Sequence, residues 1–284
     1  MKIRRFLLEN EKGQQFRLDD LNEGCFLISP ANFGYSYETD FVRLGYNFIE
    51  NNRKIQQKNP SGIAYFKSYD KCKKFIDYIE SSSELKWIYI VPYSLGEKKY
   101  YRDVVIVKLD KTEKIGKWLA CPVEFSGLSL WYEENTVIYT IEKLTNEIRW
   151  DFRWDSRFTD YDSRNLHYIN TGHVEAPIYV EMDGHLVNPK IELYVEGELY
   201  QTVKVTTEIA EYEKLLYDTR ENQFFIGKQN TDGTRVSLFS LDYIDFYNDN
   251  VIRLPKNKSC EIKLTADNEV LNAKLTIYPR YKAV

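Results

Sequence analysis

Three histidines, at 167, 173 and 185, are the side chains of this chain best suited to metal or proton chemistry. His173 and His185 bracket a stretch that also holds Glu175, Glu181 and Asp183. Imidazole and carboxylate together can bind a divalent cation or pass a proton. Their spacing here matches neither a zinc pattern nor a facial triad, so they read first as surface residues around a turn. Carboxylates pair at Asp19-Asp20 and Glu133-Glu134 and gather loosely at Asp242, Asp245 and Asp249. Glycoside hydrolysis needs two carboxyls facing each other across a groove. Adjacent residues of a strand point to opposite faces, so these pairs read as solvated turns. The cysteines at 25, 72, 121 and 260 show no C-x-x-C spacing and read as buried free thiols, which fits a reducing cytoplasm. There is no Gly-rich phosphate loop, G-x-S-x-G elbow, H-E-x-x-H or dinucleotide fingerprint. No catalytic residue, metal ligand or cofactor is assigned, and the chain is not expected to be an enzyme.

The densest aromatic cluster is Trp150-Asp-Phe-Arg-Trp154. Strand alternation puts Trp150, Phe152 and Trp154 on one face. Such a face packs in a core, anchors a protein partner, or stacks sugar rings; all three stay open. A second aromatic stretch, residues 31–58, carries Phe33, Tyr35, Tyr37, Phe41, Tyr46 and Phe48. An extended segment this aromatic pairs in a sheet of its own or lies across a neighbour.

The elements that must position these residues are mainly β. The 284 residues suggest about two domains. The 23 Tyr and 15 Phe suit strands and interfaces. Net charge is −4, with both signs interspersed, which gives no footprint for nucleic acid. The start has only Phe6, Leu7 and Leu8 as an apolar run, too short for a signal-peptide core, and no stretch is long enough for a membrane helix. A protein made without a cleaved export signal and without membrane insertion is expected. One helix stands out: Ser68 caps it and Tyr69, Cys72, Phe75, Ile76 and Ile79 form its apolar stripe. Residues 3–8 and 15–18 read as an antiparallel pair. Phe26 to Ile28 reads as a strand ended by Pro30. Residues 98–132 read as two strands around a polar break. From Val137 come short strands near 137–141, 178–182, 191–195, 199–205, 224–226, 236–241, 261–265 and 273–278. Turn signals stand at Asp183-Gly184 and Asp232-Gly233, with a weaker one at Glu196-Gly197-Glu198. Strands at this spacing predict a sandwich or jelly roll. The polar run 133–136 is the expected boundary, giving domains 1–135 and 136–284.

Ordered motifs carry a resemblance along most of the chain: Ser68-Tyr-Asp-Lys with Phe75-Ile, Tyr100-Tyr-Arg-Asp-Val104, Leu119-Ala-Cys-Pro-Val-Glu-Phe125 and Ser129-Leu-Trp-Tyr132. Asn170-Thr-Gly172, Pro177, Gly184, Asn188-Pro189 and Leu254-Pro255 follow. The chain resembles the distal tail proteins of siphophages that infect Gram-positive bacteria. That resemblance implies a β-rich ring-forming N-terminal domain followed by a galectin-like β-sandwich. It implies a homo-hexamer ring, with residues 31–58 as a belt reaching the adjacent subunit. The partners implied are the tail tube protein, a tail-associated fibre or lysin protein, and receptor-binding or side-fibre proteins. The location implied is the tail tip of the virion, after synthesis in the host cytoplasm. Two other classes remain beside this one. One is a lectin-like module that recognises host cell-wall glycan through 150–154; the other is a glycan hydrolase.

Overall fold

Period-two burial along Trp118–Gly127 shows how the first half is built. Leu119, Cys121, Val123 and Phe125 all point into one core. The structure is a computed structural model, and it describes residues 5–56, 58–93, 96–140, 165–240, 242–244, 250–268 and 272–284. The chain divides into two units, one of residues 1–133 with 281–284 and one of residues 134–280. The return of 281–284 to the first unit is absent from a division at 135/136.

The first unit's main sheet is antiparallel. Its order is Gln15–Arg17, Arg5–Asn10, Leu85–Tyr93, Gly96–Leu109, Trp118–Gly127, Ser61–Phe66, Cys25–Ala31 and Asp19–Asp20. Pro30 does not end its strand. A bulge between Ile28 and Ala31, with Ser29 at φ +48°, lets the chain pass and pair again. The helix Tyr69–Glu80 lies over the core. The Ser68 hydroxyl accepts the Lys71 N–H at 3.2 Å, and Cys72, Phe75 and Ile79 are buried. Tyr69 and Ile76, at the margins of the expected stripe, are exposed instead. The buried face is therefore the narrower 72–75–79 line.

The second unit packs two sheets on one core, a β-sandwich. One sheet runs Asn135–Thr140, Asn272–Ile277, Ala176–Asp183, Lys214–Asp218, Phe225–Gln229, Arg235–Ser237. The other runs Asn165–Ile169, Ser259–Thr265, Lys190–Val195, Glu198–Lys204. Ile178, Val180 and Met182 from the first face Ile191, Leu193 and Ile262 from the second within one cluster. Two buried polar side chains tie its loops to the core by hydrogen bonds, which offsets their desolvation. Asn170 donates to the Val174 and Leu254 carbonyls, both at 2.9 Å, and accepts the Gly172 N–H. The Tyr217 hydroxyl donates to the Asn250 carbonyl at 2.9 Å and accepts the Ile252 N–H at 2.8 Å.

Turn chemistry holds at two of three signals. Glu196 and Gly197, both at positive φ, close the tight hairpin between Val195 and Glu198. Residues 230–234 close the hairpin at Asp232-Gly233. Asp183-Gly184 closes none, because the chain there leaves the sheet for the short pair Leu186–Val187 with Glu208–Ile209. Gly184 instead lies against the Ala210 carbonyl, where a Cβ would come within 1.9 Å of the oxygen.

All four cysteines are free and buried. Burial pushes the Cys25 and Cys121 thiols up to about 12 and Cys260 up to about 11, from an ordinary 9.0. It likewise pushes the Tyr78 and Tyr179 phenols up to about 12. The fold holds these groups neutral. Their contribution is fully present below the unfolded values and is lost as pH rises through the folded ones. Arg102, lowered to about 10 by burial, acts in the opposite sense but is one group against five. The urea midpoint should therefore stay level to about pH 9 and fall above it. A midpoint unchanged at pH 11 would contradict this burial.

Candidate assembly interface

Residues 36–56 form a two-stranded ribbon, Ser36–Leu44 against Asn47–Gln56, which pairs with no other described strand. Its two-residue loop, Gly45-Tyr46, has positive φ at Gly45 only, the II′ pattern that suits a right-twisted hairpin. A bulge between Asp40 and Phe41 changes the register, so Phe41 faces Glu50 and Arg43 faces Phe48. One face of the distal half therefore presents Phe41 and Phe48, and the other Val42, Leu44 and Ile49. Phe41 is 61% exposed, Phe48 68% and Tyr46 95%. Val42, Leu44, Ile49 and Ile55 are exposed as well.

The root of this arm is held firmly. Phe33 stacks on Phe6 and Tyr89, at 5.7 and 5.6 Å, and meets Trp87 and Trp131 edge-on. Asn32 donates to the Asn59 carbonyl at 2.9 Å, closing the neck, and the Asn59 amide donates to Glu124 at 2.9 Å. Arg102, buried, donates to the Lys58 carbonyl at 3.1 Å and the Ser129 carbonyl at 3.0 Å. Tyr37 lies under the Arg53 guanidinium at 3.7 Å. Lys282, from the returning 281–284 segment, donates to the Tyr37 hydroxyl at 2.6 Å, and Tyr35 meets Tyr37 edge-on at 5.4 Å.

The six aromatic candidates thus separate. Phe33 is used inside its own unit, within the aromatic core cluster. Tyr35 and Tyr37 belong to the neck. Phe41, Tyr46 and Phe48 stand on the exposed distal half. Reading aromatics alone missed Val42, Leu44 and Ile49; their alternation with Asp40, Arg43 and Glu50 was the available signal. Arg102, Asn32 and Lys282 had no signal in sequence, since their partners are distant. Trp150, Phe152 and Trp154 lie outside the described residues, as do Asp245 and Asp249.

The other chemistry-bearing residues are dispersed. His185 Nε2 lies 2.9 Å from Glu208 Oε1, both exposed. His167 is opposite Glu261 in the four-stranded sheet. Asp19 pairs with Arg17 at 3.0 Å, and Asp20 accepts the Asn22 and Glu23 N–H groups in a turn. Among the described residues no group of three or more His, Cys, Asp or Glu side chains could hold a metal ion, and no helix is long and apolar enough to cross a membrane.

Residues 5–128 match the family model described as distal tail protein, N-terminal domain. No curated protein matches the chain. Among solved structures, the fold is similar to that of a chain of the phage P2 baseplate in its activated conformation with calcium. That pair has a TM-score of 0.68 at 15% identity, with 100% of each chain covered. It is also similar to the SPP1 Dit protein, described as a paradigm of hub adsorption apparatus in Gram-positive-infecting phages, with a TM-score of 0.58 at 11% identity over 98% of each chain. Residues 5–128 thus carry the N-terminal domain of the distal tail proteins.

Proposed function

We propose that six copies of this chain close a ring at the tip of a phage tail and join the tail tube to the adhesion machinery. The first unit forms the ring, and the arm of each copy clasps the next. The ring carries the tail-associated fibre or lysin protein, and the second unit supplies a docking module for receptor-binding or side-fibre proteins. The protein is made in the host cytoplasm and acts by geometry, without catalysis or cofactor.

The arm carries this reading. An isolated two-stranded ribbon is marginal in water. One with apolar side chains on both faces needs cover on both, and the described residues of its own unit leave Phe41, Tyr46 and Phe48 mostly exposed. A rooted arm that meets a different patch on the next copy is a heterologous contact, the kind that closes rings.

Light scattering over a concentration range, followed by negative-stain imaging, tests the reading. The expected result is a six-fold mass and six-fold rings, either alone or once tail tube protein is added. A monomer under both conditions overturns it.

A further inference from the structure

Three of the four cysteines lie in one core. Cys25 comes from the strand Cys25–Ala31, Cys121 from the strand Trp118–Gly127 and Cys72 from the helix Tyr69–Glu80. The two strands flank Ser61–Phe66 in the first sheet. Cys121 lies opposite Ala64, and Cys25 opposite Phe66. Alternation turns Cys25, Ala64 and Cys121 into the core over which the helix lies, and all are buried. Small side chains on both surfaces let the helix sit close, and its Cα atoms come within 8 Å of those of Ser61–Phe66. Cys72 Sγ then reaches Cys121 Sγ at 4.0 Å, a weak contact in which either thiol donates. The fourth cysteine, Cys260, belongs to the core of the second unit.

A buried thiol by itself is a small hydrophobe that packs well. A pair on two different elements, 49 positions apart, is also a cross-link that lacks only an oxidant. A disulfide needs sulfurs about 2.05 Å apart. Closing from 4.0 Å is within the swing of one cysteine side chain about χ1. Burial keeps the pair reduced in the meantime. The Cys121 thiol, held at about 12, stays protonated, and the thiolate is the nucleophile of exchange.

We propose that Cys72 and Cys121 form a latent disulfide, closed by a small-molecule disulfide of the surroundings once the chain has left a reducing cytoplasm. The chemistry balances in two exchanges. Local opening of the helix exposes Cys72. Its sulfur gives up a proton and attacks one sulfur of the small disulfide, releasing the other half as a thiol. Cys121 then gives up its proton and attacks the Cys72 sulfur of the mixed disulfide, releasing the second half as a thiol. The two cysteines are oxidised, the small disulfide is reduced, and both protons leave on the released thiols. The bond ties the helix to the sheet and constrains the unfolded chain over the positions between. Release from the host follows from the proposed function, but the bond itself needs only one copy of the chain.

The test incubates the folded full chain with oxidised glutathione at about pH 8, then reads intact mass and non-reducing peptide maps. The expected result is a mass lower by two hydrogens, Cys72 and Cys121 in one linked peptide, and Cys25 and Cys260 still free. The unfolding temperature of the first unit should rise by about 10 °C and return on reduction. Cys121→Ala should abolish the link and the rise, and Cys25→Ala should keep both. The map of the native chain decides the matter even where a variant folds poorly. Free Cys72 and Cys121 after treatment, a glutathione adduct that never closes, or a bond to Cys25 overturns the proposal. So does a Cys72–Cys121 bond that forms only in urea, since it would belong to the unfolded chain. Ring formation is read separately, by light scattering, and none of these outcomes alters it.

Discussion

Replacing Phe41 and Phe48 together with glutamate should leave the monomer folded and abolish its self-assembly. Both side chains are mostly exposed on the distal arm, so the unfolding temperature of the first unit should move by no more than about 3 °C, as for two surface substitutions each worth under ~0.5 kcal/mol. Assembly is another matter. Aromatic anchors at the centre of an interface each contribute about 2–4 kcal/mol, and a carboxylate in their place would have to be buried without a partner. The combined loss exceeds ~4 kcal/mol, or about a thousandfold in the concentration at which copies associate. Sedimentation of the variant beside the native chain would measure it. Equal association of the two would remove the arm from the interface. Phe33→Ala is the instructive contrast. Phe33 packs on Phe6, Trp87, Tyr89 and Trp131, so its loss should act first on stability and on the aim of the arm.

Arg102→Leu should be among the most damaging single changes in the first unit, although the position carries a buried charge with no carboxylate partner among the described residues. Burial lowers this guanidinium to about 10, and removing the cation relieves that desolvation. The opposing loss is larger. The Lys58 and Ser129 carbonyls lose their donors, at roughly 1–3 kcal/mol for each buried acceptor left unpaired. The packing of the Arg102 stem is lost besides. A net cost of about 3 kcal/mol corresponds to a fall of roughly 10 °C for a unit of this size. The neck around Asn32 and Asn59 should then exchange its amide hydrogens faster, because Lys58 is one of the points that holds it. Arg102→Lys should recover part of the loss, since a single ammonium reaches one carbonyl where the fork reaches two. Gly127→Ala should resemble Arg102→Leu, because a Cβ at Gly127 would lie 2.2 Å from the Arg102 Nη2. The double variant should cost less than the two singles summed, as for residues that share one contact. A stable Arg102→Leu chain with an unchanged neck would show that these carbonyls find other donors.

Local signals carried far along the sequence. Ser68 with Asp70 marked the start of the helix, and the 72–75–79 spacing marked its buried face. Alternation of Ile191, Leu193 and Val195 with Glu192 and Tyr194 marked Lys190–Val195. Positive φ is cheap for glycine, so Gly197 and Gly233 announced their hairpins. Lys214–Asp218 escaped notice because its core, Leu215-Leu216-Tyr217, is buried on consecutive residues and shows no period of two. Pro30 misled because a bulge absorbs it. Asp183-Gly184 misled because Gly184 serves a close approach to Ala210 and no turn.

For the arm, the sequence alone determined composition and conformation: an extended, aromatic segment with a Gly45 turn, able to pair with itself. Tertiary structure decided how each aromatic is used. Phe33 lies only two residues from Tyr35, yet it is fixed in the core by Phe6, Trp87, Tyr89 and Trp131, while Phe41 and Phe48 are left outside. The division depends on where the neck is closed, and the closing groups are far apart in the chain: Asn32 with Asn59, Arg102 with Lys58, Lys282 with Tyr37. A period of two or 3.6 reports which residues share a face. It carries no information on which distant segment covers that face, because that is settled only when buried polar groups find partners and apolar faces find cover across the whole chain.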